Sequence, residues 1–190
     1  LYDETIRQKN LDGKLFPEFL SEKGILPGIK VDTGAKDLAL HSGEKITEGL
    51  DGLGGRLKEY RSLGALFAKW RAVIKIGDGI PSRACIEGNA HALARYAALC
   101  QENGLVPIVE PEVLMDGDHS IETCFEVTSR VQIEVFKCLN SAGVMLEGIV
   151  LKPSMVISGE ECNVKASVNS VAAQTVKCLL ANVPPEVSGI

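Results

Sequence analysis

Six charged side chains recur along this sequence at a near-constant interval: Lys30, Lys69 with Arg71, Glu110 with Glu112, and Lys152. Lys152 closes the apolar run Ile149-Val150-Leu151 and precedes Pro153, which sets its stem in an apolar wall with the amine pointing into the site. A lysine amine is a nucleophile only when neutral, a form favoured by desolvation or by a nearby cation. Lys69 is the candidate cation. A neutral amine adds to a ketone, and the iminium that follows withdraws electrons so that a neighbouring carbon-carbon bond can break. Loss of water from the first adduct needs an acid, and cleavage needs a base for a hydroxyl. Glu110 and Glu112 flank Pro111 in an extended Glu-Pro-Glu, which places both carboxyls on one side. Lys30 and Arg71 suit a phosphate. The set points to carbonyl chemistry on an anionic substrate.

Any one of these charges, taken singly, reads equally well as a solvated charge at the end of a strand. Their register argues otherwise, because each falls at the carboxyl end of the strand of one repeating unit. The chain alternates a short apolar run, a polar loop with Gly or Pro, and a longer segment of helical period. The first unit runs from residues 27–31 through a long polar loop to Asp51, a candidate N-cap, and a helix carrying Leu53, Leu57 and Tyr60. The second takes residues 67–76, turns at 77–81, and enters a helix capped by Ser82 that ends near Gly104. The third begins at 105–110, loops from Pro111 to His119, and continues in an amphipathic helix through Ile121, Cys124, Val131 and Cys138. The fourth takes a strand at 146–152, a loop to about Ser167 and a helix to about Asn182; residues 183–187 lead into a further strand.

Consecutive βα units with nearly continuous apolar strands imply a parallel sheet buried on both faces. An open doubly wound sheet and a (β/α)8 TIM barrel both satisfy this. A dinucleotide fold would carry G-x-G-x-x-G after its first strand, and no such run occurs, so the barrel is favoured. In a barrel the strand-end charges converge on one face. A whole barrel takes about 250 residues. Residues 1–190 are therefore expected to form a single partial domain: roughly strands 3 to 6 with their helices, plus the end of strand 2 at residues 1–6. The chain opens on Leu rather than Met and reads as an internal stretch of a longer polypeptide.

Composition bounds the partners. The net charge of -5 gives no basic field for a nucleic acid, and no apolar run suits a membrane span, so neither partner is expected. Six cysteines form no C-x-x-C pair and mostly fall on apolar helix faces, as in a reduced cytoplasmic protein without disulfides. His119, in Asp116-Gly117-Asp118-His119, reads as part of a polar loop and helix cap rather than a metal ligand, and no metal or other cofactor is expected. His41 and His91 have no companions, and Trp70 and Phe67 read as packing residues.

The residues also resemble the class I fructose-bisphosphate aldolases of the eukaryotic glycolytic type. The resemblance lies in Pro-Gly-Ile-Lys-Val-Asp (27–32), Gly-Leu-Asp-Gly-Leu (49–53), Phe-Ala-Lys-Trp-Arg (67–71), Leu-Ala-Arg-Tyr-Ala (93–97), Val-Pro-Ile-Val-Glu-Pro-Glu-Val-Leu (106–114), Asp-Gly-Asp-His (116–119), and Leu-Glu-Gly with Leu-Lys-Pro (146–153). It implies a metal-independent lyase that reversibly cleaves fructose 1,6-bisphosphate to dihydroxyacetone phosphate and glyceraldehyde 3-phosphate. It implies Lys152 as the Schiff-base lysine, Glu110 as the main proton-transfer carboxylate, Glu112 as a supporting acid, and Lys69 as a charge stabiliser. Lys30 and Arg71 are placed near the sugar phosphate, and a cytosolic homotetramer is implied. The family's first-strand aspartate, the serine and arginine of its last strands, and its terminal tyrosine fall outside these residues, so these residues alone are expected to be inactive. Another Schiff-base sugar-phosphate lyase and a non-catalytic scaffold are the competing readings.

Overall fold

The computed structural model describes residues 1–190. Two short helices, α1 (Asp3–Ile6) and α2 (Phe16–Glu22), precede the first strand, β1 (Gly28–Lys30). Of the expected strand end at residues 1–6, only Leu1 joins the ladder. Its amine donates to the Gly28 carbonyl at 2.7 Å and its carbonyl accepts from the Lys30 N–H at 2.9 Å, after which α1 begins. The long polar loop expected after β1 is instead an antiparallel hairpin, β2 (Gly34–Asp37) and β3 (Lys45–Glu48). Tertiary bonds hold it: Thr47 Oγ1 donates to the Arg71 carbonyl at 2.8 Å, and Asn89 Nδ2 to the Lys45 carbonyl at 2.9 Å.

Helix α3 (Leu53–Ser62) starts at Gly52, not at a cap from Asp51. Gly52 has φ of 65°, a left-handed turn that suits glycine and carries the chain past Asp51 without a side-chain cap. Strand β4 (Phe67–Ile74) and helix α4 (Arg83–Glu102) follow, then β5 (Val106–Val113), α5 (Ile121–Ser141), β6 (Val150–Leu151) and α6 (Val168–Asn182). The last three helices begin alike: Ser82, Ser120 and Ser167 each accept the N–H three residues on, satisfying a donor the helix leaves open.

All pairings in the main sheet are parallel, in the order β1-β4-β5-β6. Strand β5 runs on through Pro111, where a loop was expected. The missing N–H of Pro111 would face β6, whose pairing stops at Leu151, so no ladder bond is lost. Strand β6 is shorter than the expected 146–152. Gln101 grips both backbone groups of Met145, at 2.7 and 2.9 Å, and residues 146–148 turn as a single 3-10 turn before the chain extends. Beyond α6, Gly189 pairs with Val150 in parallel, as the lead-in at 183–187 suggested.

The core lies between the sheet and its helices. Along β4, Ala68, Trp70, Ala72 and Ile74 are all buried to 1% or less, while the alternate residues are half-buried. Trp70 stacks on Tyr96 of α4 with ring centroids 5.5 Å apart, and the Tyr96 hydroxyl donates to the Ala68 carbonyl. Each such aromatic removes roughly 150–250 Å² of surface from water, on the order of 4–6 kcal/mol at about 25 cal/mol per Å². The sheet is thus fully buried on its helix face only; the opposite face carries the charges.

Candidate active site

Strand alternation separates the two faces. Trp70 turns toward α4, which sends its neighbours Lys69 and Arg71 to the other side of β4. Register then sorts the charges by level. Lys30 lies opposite Lys69, and Lys69 opposite Ile108, whereas Glu110 lies opposite Arg71 and Glu112 opposite Val73. Lys152 follows Leu151, which pairs with Val109, so it stands level with Glu110. The near-equal sequence intervals therefore span more than one level of the sheet.

Glu110 is the centre of the group. Its side chain is only 3% exposed; Oε1 accepts from Lys152 Nζ at 2.5 Å, and Oε2 lies 2.7 Å from Lys69 Nζ as an ion contact that lacks hydrogen-bond geometry. A buried carboxylate is costly to hold unless paired, and two ammonium groups meet that requirement. The Lys152 side chain is 58% exposed, because its strand ends at Leu151 and the residue stands beyond the sheet. The enclosing apolar wall expected around it is absent; what faces the amine is the carboxylate of Glu110. Glu112 does not join Glu110. It forms a two-point ion pair with Arg71, through Nε and Nη2. Lys30 pairs with Asp32 Oδ1 at 2.5 Å, so the two residues expected to hold a phosphate each carry an internal counter-ion.

The family model described as "Glycolytic: Fructose-bisphosphate aldolase class-I" matches residues 1–190. The chain belongs to the class-I fructose-bisphosphate aldolase family. A probable class 1 fructose-bisphosphate aldolase of Xanthomonas campestris is 62% identical over 190 residues, all of this chain and 57% of that protein. The Arabidopsis thaliana protein named fructose-bisphosphate aldolase 5, cytosolic, is 55% identical over 190 residues, 53% of its length. The fructose-bisphosphate aldolase of Plasmodium falciparum, solved in a complex with TRAP and a small-molecule inhibitor, superposes with a TM-score of 0.95 at 49% identity. That match covers 98% of this chain and 55% of the other. The chain spans about half the length of the curated relatives it matches. Its parallel βα units are accordingly part of an aldolase (β/α)8 barrel.

Two features of this aldolase chain escaped the sequence reading. Asp32, buried and bonded to Lys30, was hidden in a strand-end motif, although its spacing of two from Lys30 signals a shared face. His119 is 7% exposed, not a solvated loop residue, and Ser120 rather than His119 caps α5. Burial holds the His119 imidazole below its usual pKa of 6.5. No helix of the aldolase chain is long and apolar enough to cross a membrane. All six cysteines are free, and burial pushes the thiols of Cys85 and Cys100 up to about 11 and about 12, which keeps them protonated at neutral pH. No three His, Cys, Asp or Glu side chains converge as a metal-binding group. A concave space of about 940 Å³ is lined by Lys30, Asp32, Arg56 and Arg95 among others, and by none of Lys69, Arg71, Glu110, Glu112 and Lys152.

Proposed function

We propose that the polypeptide bearing these residues reversibly cleaves fructose 1,6-bisphosphate to dihydroxyacetone phosphate and glyceraldehyde 3-phosphate through a Schiff base on Lys152. The observation that carries this is the Lys152–Glu110–Lys69 chain of contacts at 2.5 and 2.7 Å on one open sheet face. In this reading the Lys152 amine, neutral when it reacts, attacks the ketone carbon, and the carbinolamine loses water as Glu110 supplies a proton. The iminium accepts the electron pair of the breaking carbon-carbon bond while a carboxylate takes the proton of the adjacent hydroxyl. Glu110 Oε1 accepts from Lys152 Nζ at 2.5 Å, within reach of a carbinolamine formed there. Lys69 offsets the negative charge of Glu110 from the far oxygen and stays in place through the cycle.

Glu112 supports the reaction through Arg71, whose guanidinium it orients. Lys30 and Arg71 bind the sugar phosphate, and a homotetramer in the cytosol is the proposed working form. The family membership supports the substrate class. The test is intact-mass spectrometry of the whole polypeptide before and after borohydride reduction with fructose 1,6-bisphosphate, followed by peptide mapping. A reduced adduct on Lys152 is expected; no adduct, or an adduct on another lysine, overturns the reading.

A further inference from the structure

The carboxylate of Asp32 is 2% exposed, yet it sits next to a lysine expected to meet substrate. Oδ1 accepts from Lys30 Nζ at 2.5 Å and from the Gly34 N–H at 3.1 Å, and Oδ2 from the Arg71 N–H at 3.4 Å. Two of these donors are backbone groups on separate segments, so the carboxylate is held whether or not Lys30 is there. The Lys30 ammonium makes a second bond to the Asp32 carbonyl at 3.2 Å. An ammonium has three donors, which leaves one for a ligand oxygen.

Lys30 stands directly opposite Lys69 on the neighbouring strand, and like charges so placed repel. Each has its own buried carboxylate, Asp32 for Lys30 and Glu110 for Lys69. A Lys30 without its own counter-ion would face Lys69 with nothing to offset the repulsion. We infer that Asp32 is a positioning residue that holds Lys30 apart from Lys69 and presents it to the phosphate of the substrate. The inference deepens the proposed function and rests on it for the identity of the phosphate. Two consequences follow: Asp32 touches no reacting atom, and its effect passes entirely through Lys30.

Brief acetylation of the whole polypeptide with acetic anhydride, read lysine by lysine by mass spectrometry with and without inorganic phosphate, tests this. In the wild type, Lys30 is expected to label more slowly than exposed Lys58, and phosphate is expected to slow it further. Asp32→Asn keeps an oxygen for the backbone donors but removes the charge. It is expected to raise Lys30 labelling about tenfold, as loss of a charge-assisted bond does, and to abolish phosphate protection there. It is also expected to raise KM for the bisphosphate about tenfold in the wild-type background and not at all in Lys30→Met, since coupled residues are non-additive. Labelling and protection of Lys30 unchanged by Asp32→Asn, or the same KM change in both backgrounds, overturns the inference. If Asp32→Asn does not fold, wild-type Lys30 labelling as fast as Lys58 overturns it by itself. A wild type that forms no adduct on Lys152 defeats the aldolase reading, while the labelling still decides what Asp32 does.

Discussion

The two faces of the sheet are built from the same strands by alternation, and they obey different rules. On the helix face, Ala68, Trp70, Ala72, Ile74 and Val109 need only be apolar and of the right volume, because dispersion and burial are non-directional. On the other face each charge is matched to a specific opposite charge: Lys30 with Asp32, Lys69 and Lys152 both with Glu110, Arg71 with Glu112. The first face supplies stability and the second supplies chemistry, so substitutions on the two should separate in what they damage.

The sharpest way to break this division is Lys152→Met. It is expected to abolish the borohydride-trapped adduct, yet to change the unfolding free energy from urea titration by no more than about 0.5 kcal/mol, because the residue is more than half exposed and Glu110 retains Lys69. A large loss of stability would show that the charged face also holds the fold together. Next, Glu110→Gln should lower turnover about 10²–10⁴-fold, the range for removing a general acid-base, as measured in a steady-state cleavage assay.

Trp70→Ala tests the opposite face. It should cost about 3–5 kcal/mol in equilibrium unfolding while Lys152 in the folded fraction still forms its adduct. A smaller effect is expected from Gly159→Ala. A Cβ there would meet the Gly117 carbonyl oxygen at 2.1 Å, where the segment after Lys152 lies against the segment after Glu112. The backbone must shift, at about 1–3 kcal/mol by denaturant titration.

The smallest effect concerns pH. The folded state holds His119 below its usual pKa of 6.5 by burial, partly offset by Asp118. The unfolded chain therefore binds a proton that the folded chain resists, and stability should fall as pH drops from about 6.5 toward the folded value, with no contribution above that window. Urea midpoints at pH 7.5 and pH 5.5 measure this, and His119→Gln should flatten the difference. An unchanged slope in that variant would assign the pH dependence to other groups.

Much of the fold was legible because βα units write strong signals. Ser82 and Ser167 announced their helices, Leu53, Leu57 and Tyr60 marked one face of α3, and the strand starts at Phe67 and near Leu105 lay close to those observed. The errors came where long-range contacts overrode local pattern. The hairpin β2–β3 is mostly exposed and has little alternation, and it exists because Asn89 and the Arg71 carbonyl bind it from afar. Residues 146–148 look like strand but are pulled into a turn by Gln101. Strand β5 continues through Pro111 only because nothing pairs on that side.

The recurrence of charges at strand ends and the alternation that puts Lys69, Arg71, Glu110 and Glu112 on one face are properties of the chain itself, since side-chain direction in a strand follows from residue parity. The choice of partners is not. Whether Glu110 meets Lys152 or Arg71, and whether Lys30 is free or held by Asp32, depends on parallel register and on where β6 stops, distances of a few ångströms that local sequence does not encode. Ion pairing falls steeply with separation and with exposure to water, so only the assembled sheet could decide which carboxylate serves which lysine.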